Sequence, residues 1–252
     1  MHSVVNQHEF VKSSLDQLVK HLKEDSDDVR SAVAAAIGSQ EPEKVAAERA
    51  NLASNFGSIR DQATSEPPHG DVDYVFVLDV HTISSTMIGY NEFGHPEFDT
   101  VRSQLGELVY RLKYKGDKTV IPPIVEAVAA FVNDWGIHPD AIIPMPPSRQ
   151  RSFQPVMELA GELARALKIP LNLESLKKTK TTQQMKDVGD FSARVATLDG
   201  AFASDKGLEA KTVLLFDDLF QSGATMNVAA RTLKSQGRVK SVYALALTRT
   251  RN

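Results

Sequence analysis

The segment that most restricts how this chain can fold is Lys211-Thr-Val-Leu-Leu-Phe-Asp-Asp-Leu-Phe-Gln-Ser-Gly-Ala-Thr225. Its unbroken apolar run, Val213 to Phe216, suits a strand buried on both faces in the middle of a parallel sheet, whereas an alternating run would signal a half-exposed edge. The strand is expected to end in Asp217 and Asp218, at the carboxyl end where open α/β sheets place their ligands. Ser222-Gly-Ala-Thr225 then opens an amphipathic helix through Val228, Ala229 and Leu233. Small residues there leave backbone N–H groups free at the positive end of a helix, which is how a chain cradles phosphate. Acids that can hold sugar hydroxyls or a hydrated cation, followed at once by such a turn, suit a single ligand that carries both groups. The plainer alternative is a buried strand ending in a solvated Asp-Asp turn, and the helix in register with the turn weighs against it.

The rest of the chain supplies a frame for that segment. Tyr74-Val-Phe-Val-Leu78 and Ala141-Ile-Ile-Pro-Met145 read as strands, and Val242 to Leu247 as a last one. His81 to His95 reads as an ordered loop, and Asp79, His81 and His95 are spaced too irregularly to define a metal set. Phe98, Val101, Leu105, Leu108, Val109 and Leu112 make a stripe of period 3.6 that predicts a helix capped by Asp99. A second helix runs from Pro122 to Trp135 and a third opens at Pro155, where proline suits a first turn. Pro146-Pro-Ser-Arg-Gln-Arg151, at a strand's carboxyl end, is a stiff turn that displays Arg149 and Arg151, whose guanidinium groups suit bidentate contact with phosphate oxygens. A short strand is expected near Leu171 to Leu173. Lys177 to Arg194 is polar and aperiodic, and predicts a mobile basic loop able to close over an anion.

Up to about Gln62 the chain reads as separate helices with thin apolar faces, such as Ala32 to Ala36, which bury little area and call for a partner surface. Glu66-Pro-Pro-His-Gly-Asp71 is the clearest boundary. The expected organisation is a helical extension over 1–65, a linker over 66–72 and a main domain over 73–252. A chain of 252 residues accommodates one sizeable α/β domain with an appendage. Net charge of -3 argues against a broadly basic nucleic-acid surface, and the lack of any cysteine excludes disulfides, thiolate catalysis and zinc ribbons. With no apolar run of membrane-spanning length, the chain is expected to be soluble and cytoplasmic, without a membrane partner.

The apolar run, the two acids and the Ser-Gly-Ala-Thr turn resemble the 5-phosphoribosyl-1-pyrophosphate (PRPP) signature of type I phosphoribosyltransferases. From about Tyr74 onward the chain is similar to their ComF-type branch, in Leu112-Lys-Tyr, in Pro144-Met-Pro followed by Arg151-Ser-Phe-Gln, in Thr181-Thr-Gln-Gln184, in Gly200-Ala-Phe202 and in the Asp-Asp motif. The resemblance implies an α/β fold, a Rossmann-like parallel sheet flanked by helices with a flexible flap, here carrying an N-terminal helical extension. It implies that Asp217 and Asp218 are catalytic and meet the ribose hydroxyls, and that Gln221, Ser222, Gly223, Ala224 and Thr225 wrap the 5′-phosphate. Ser148, Arg149 and Arg151 would bind pyrophosphate, with Lys178, Lys180, Thr181 and Gln184 in the flap. Mg2+ would enter with PRPP, within reach of Asp217 and Asp218. The implied activity, in nucleotide metabolism, is transfer of 5-phosphoribosyl from PRPP to a nitrogenous acceptor with release of pyrophosphate. The alternatives are a non-catalytic PRPP sensor acting through the helical extension, or a ComF-type accessory protein of DNA uptake. Members of the branch often begin with a cysteine-rich zinc finger, and this chain has none. A homodimer is expected from the thin-faced helices; a nucleic-acid partner stays open.

Overall fold

Strands apolar on both faces must be covered on both, and that requirement sets the architecture. The computed structural model of the chain describes residues 64–66, 70–148, 152–180 and 191–250. In order these form β1 (Thr64–Glu66), β2 (Tyr74–Val80), β3 (Thr82–Tyr90), β4 (Pro96–Arg102), α1 (Gln104–Tyr110), a π-helical turn (Arg111–Lys115), α2 (Ile121–Trp135) and β5 (Ala141–Pro144). Then follow α3 (Pro155–Leu167), β6 (Leu176–Lys178), α4 (Phe191–Thr197), β7 (Phe202–Ser204), β8 (Thr212–Phe220), α5 (Ala224–Ser235) and β9 (Ser241–Arg249). The main sheet has the order β1-β2-β9-β8-β5. Its last four strands are mutually parallel, and β1 adds antiparallel to β2. The sheet therefore begins at Thr64, inside the stretch that composition assigns to the extension and linker. The expected helices before residue 64 lie outside the described residues.

Alternation along each strand divides the core in two. Leu214 and Phe216 of β8 join Leu78, Ile142, Leu245 and Leu247 under α1, α2 and α3. Val213 and Leu215 join Val75, Val77, Ile143 and Ala244 under α5, with Leu198 and Phe202 at the margin. This is a doubly wound α/β sheet, the fold class the sequence implied. Among the described residues no helix is long and apolar enough to cross a membrane.

Four local expectations are corrected. The stretch from His81 to His95 is not a loop: β3 and β4 form an antiparallel hairpin. Its turn is set by the Asn91 side chain, which accepts from the amides of Phe93 and His95, and by Gly94 at φ +75°. Phe98 and Val101 lie exposed on β4, so the helical stripe holds only from Leu105 onward, and the cap is Ser103, whose hydroxyl accepts from the Gly106 amide at 2.9 Å. The strand near Leu171 shrinks to a single bridge with Ile142. In the polar stretch to Arg194, Leu176–Lys178 pairs with Phe202–Ser204 and Phe191–Thr197 is helical; 181–190 lies outside the described residues.

Helix α1 is pressed against the end of β2 at one glycine. A Cβ on Gly106 would stand 2.2 Å from the His81 carbonyl oxygen, which is backbone and cannot swing aside. Gly106→Ala is accordingly expected to cost about 2 kcal/mol through overpacking. A drop in melting temperature of roughly 5 °C on thermal unfolding would agree; an unchanged midpoint would show that the helix is not held so close.

Candidate active site at the carboxyl end of the sheet

The crevice follows from topology. The ladder between β5 and β8 ends at the pair Pro144 and Phe216. Beyond it the chain leaving β5 climbs into α3 on one face of the sheet, and the chain leaving β8 turns into α5 on the other. Neighbouring strands whose connections part in this way leave a cleft between them, the switch point where doubly wound sheets bind ligands. One lip is Met145-Pro-Pro-Ser148, pinned where the Met145 amide donates to the Phe216 carbonyl at 2.8 Å. The other is the turn Gln221 to Thr225.

That turn has the form a phosphate requires. Gly223 sits at φ +73° and ψ -9° at the head of the twelve-residue α5, and a Cβ there would lie 2.9 Å from the Phe220 ring, so conformation and space both demand glycine. Gln221 is exposed and Ser222, Gly223 and Thr225 keep solvent contact, while Ala224 is buried. Among the described residues, none of the amides from Ser222 to Thr225 donates to another backbone group. The first to do so is Asn227, whose amide bonds the Gly223 carbonyl at 2.8 Å. The orphan donors of this helix end are therefore presented to the cleft.

The acids are arranged differently from the sequence expectation of a strand ending before them. β8 continues through Asp217 and Asp218 to Phe220, paired with β9, and consecutive strand side chains diverge. Asp218 is drawn to Lys113, with Nζ 2.9 Å from its carboxylate. Burial opposes the charge on Lys113, but Asp218 beside it outweighs burial and raises the ammonium's pKa. The Asp217 carboxylate accepts from the Asp218 amide at 2.8 Å. Burial first, and the Asp218 charge second, push its pKa well above the ordinary carboxylate range. Asp217 thus favours a proton until a donor or cation arrives.

Other groups close the floor. Thr248, fully buried on β9, donates from Oγ1 to the Asp218 carbonyl at 3.1 Å, and the His81 Nδ1 lies 3.2 Å from the Thr248 Oγ1. Asp79, 4% exposed, binds the N-terminal end of α1 through Ser103 and the Leu105 amide, a structural position; burial raises its pKa against those bonds. Ser148 on the first lip meets Lys178, whose Nζ is 3.5 Å from the Ser148 hydroxyl, and burial lowers the Lys178 pKa. Lys180 is turned instead toward the end of α4, where Nζ donates to the Asp199 carbonyl at 3.2 Å. Arg149, Arg151, Thr181 and Gln184 lie outside the described residues.

Sequence reasoning missed Lys113 as a site residue. Its signal was present in Leu112-Lys-Tyr, but a basic residue in a last helical turn ordinarily complements the helix dipole. Here the π-helical turn widens the chain locally, a distortion frequent at functional sites. His81 and Thr248 were missed because their partnership spans 167 residues of sequence.

No family model matches the chain. Over 166 residues it is 27% identical to the competence protein ComFC of Bacillus subtilis, covering 60% of this chain and 62% of that protein, so it spans less than two thirds of the relative's length. Solved structures similar to it include the adenine phosphoribosyltransferase of Saccharomyces cerevisiae, 11% identical over 77% of this chain and 89% of that one, with a TM-score of 0.38. The adenine phosphoribosyltransferase of Leishmania tarentolae is 10% identical over 74% and 94%, with a TM-score of 0.38. A hypoxanthine phosphoribosyltransferase from Staphylococcus aureus is 16% identical over 51% and 62%, with a TM-score of 0.31. The chain is thus ComF-like in sequence, and its parallel sheet flanked by helices is the architecture that the resemblance implied.

Two expectations follow from the electrostatics. Lys113→Met strips the partner from a carboxylate whose side chain is 9% exposed, and is expected to cost about 3 kcal/mol, or roughly 10 °C in melting temperature. The double variant Lys113→Met/Asp218→Asn should recover most of that loss; equal losses in both would mean that the ion pair is not its origin. Because the folded-state pKa of Asp217 is raised, stability falls as pH climbs from the unfolded-state value toward the folded one. Asp217→Asn should therefore melt increasingly above the unsubstituted protein as pH is raised from 4 to 8, with no advantage at pH 4.

Proposed function

We propose that this protein is a PRPP-dependent phosphoribosyltransferase, a pentosyltransferase that moves 5-phosphoribosyl to a nitrogenous acceptor and releases pyrophosphate. The observation that carries this reading is the turn Gln221 to Thr225, its amides uncommitted among the described residues, at the mouth of a switch-point cleft beside two acids. A 5′-phosphate at those amides directs the ribose back along β8 toward Asp217 and Asp218. Ribose hydroxyls donating to Asp217 replace the proton that burial makes it retain. The pyrophosphate then falls toward the opposite lip, where Ser148 and Lys178 already meet and where Arg149 and Arg151 follow in sequence. No covalent nucleophile is needed.

The donor set fits magnesium delivered by the ligand. Among the described residues no group of three or more acidic or histidine side chains forms a cage, and one of the two carboxylates is matched by Lys113. Mg2+ would neutralise the departing pyrophosphate, held chiefly by oxygens of PRPP with Asp217 and Asp218 nearby. A cysteine-free chain suits a reducing compartment, and a cytoplasmic site of action is part of the proposal.

One observation favours a second reading. Lys113 already satisfies Asp218 without any ligand, so the cleft can hold PRPP stably without turning it over, as a sensor acting on a protein or DNA partner would. Incubation with PRPP, Mg2+ and a panel of purines, pyrimidines and amines separates the two. Release of pyrophosphate with at least one acceptor is expected, together with a rise in melting temperature on adding PRPP with Mg2+ but not Mg2+ alone. Gly223→Ala should abolish that rise. Binding without release across the panel would leave the sensor, and no binding would remove both.

A further inference from the structure

Outside the cleft, one apolar surface stands without cover. The ribbon of β3 and β4 is a sheet of two strands, and such a ribbon is marginal in water unless a further strand or a helix packs on it. Its register sorts the side chains. Residues paired directly across an antiparallel ladder share a face. Met87 with Phe98 and Tyr90 with Pro96 therefore lie on one side, together with Ser85 and Thr100, whose hydroxyls meet at 3.1 Å. Thr86 with Asp99 and Gly89 with Glu97 lie on the other. One side is thus apolar over its outer half, and the other is polar and acidic. Met87 is 45% exposed, Phe98 53% and Tyr90 69%, so no described residue buries the apolar side.

Size decides what can cover it. Nine residues of β3 at about 3.4 Å each, in a ribbon about 10 Å across, give a face of about 300 Å2. A dimer of free subunits needs about 800 Å2 from each partner, so this face alone does not hold a second copy. A segment of the same chain meets a lower requirement, because a short tether presents it at an effective concentration of the order of millimolar.

The chain delivers such a segment. β1 runs antiparallel to β2 with Thr64 opposite Val77, and only Leu78, Asp79 and Val80 separate Val77 from His81, the last residue before the ribbon. The chain that precedes Thr64 thus meets the sheet about 13 Å from the root of the ribbon, at the same end of β2. In that preceding stretch Val45, Leu52, Phe56 and Ile59 recur at the spacing of one helical face. The length from 45 to 63 spans about 60 Å extended and about 30 Å as a helix. The outer half of the ribbon begins about 20 Å beyond its root, within that reach. Charge agrees. Arg49 falls on the same stripe, whereas the ribbon from Thr82 to Val101 carries Glu92, Glu97 and Asp99 and neither lysine nor arginine. A side chain as long as arginine reaches the rim of so narrow a ribbon while its stem lies on apolar surface.

We infer that residues 45–63 dock, by the stripe of Val45, Leu52, Phe56 and Ile59, on the side of the ribbon that carries Met87, Tyr90 and Phe98 in the same chain. The inference stands apart from the transferase reading and needs no turnover to test. The chain has no cysteine, so Thr86→Cys, on the polar side of the ribbon, provides a single thiol to carry a nitroxide. In the whole chain, labelled with nitrogen-15 and bearing that nitroxide, the amide signals from Leu52 to Ile59 should be lost to paramagnetic broadening and return when the nitroxide is reduced. Mixing nitroxide-bearing chain without nitrogen-15 into nitrogen-15 chain without nitroxide should leave those signals intact. Tyr90→Ser/Phe98→Ser on the ribbon, and separately Leu52→Ser/Phe56→Ser in the segment, should each restore the signals in the doubly labelled chain. Unmoved amides from Val213 to Phe216 would show that the sheet of each variant is folded. Broadening in the mixed sample would assign the face to a second copy and overturn the inference. Intact signals from Leu52 to Ile59 in the doubly labelled chain, or broadening that survives both sets of substitutions, would overturn it as well.

Discussion

Everything at this site depends on the parting of β5 and β8. The two strands are paired through Pro144 and Phe216 and then separate, because α3 must cover one face of the sheet and α5 the other. Both faces carry apolar side chains that are essentially unexposed, Leu214 and Phe216 on one and Val213 and Leu215 on the other. Neither cover can be given up without exposing a core. The cleft is thus a by-product of burying a two-faced sheet, held open by hydrophobic packing rather than by the polar groups that line it.

Electrostatics inside the cleft are unequal by construction. One acid has a lysine at 2.9 Å, and the other has a backbone hydrogen bond and a weaker pull from the same lysine, outweighed by burial and the charge of its neighbour. That asymmetry lets two adjacent carboxylates coexist in a largely desolvated place: Asp218 is paired with a cation, and burial favours the protonated form of Asp217. Thr248 ties the Asp218 backbone to His81, so the acids, the imidazole and the ends of β2, β9 and β8 form one connected floor.

Much of this was legible from residues alone. The Val-Leu-Leu-Phe run, the glycine turn and the amphipathic helix after it are local patterns, each fixed by near neighbours, and the structure keeps all three. The hairpin over Thr82–Arg102 was not legible, because Thr, Ser, Met and Ile mixed with glycine satisfy loop and strand patterns alike, and Phe98 and Val101 fall by chance on the helical stripe of α1. Lys113 and the Thr248 bridge were hidden for another reason. Their meaning lies in contacts between segments more than a hundred residues apart, which no periodicity encodes.

The central claim is that the amides leaving β8 receive a sugar phosphate. Adding ribose 5-phosphate to nitrogen-15-labelled protein, and following each backbone amide by NMR, tests it directly. The largest shifts are expected at Ser222, Gly223, Ala224 and Thr225, with saturation at a defined ligand concentration. Shifts confined to other segments, or none at these four amides, would contradict the account.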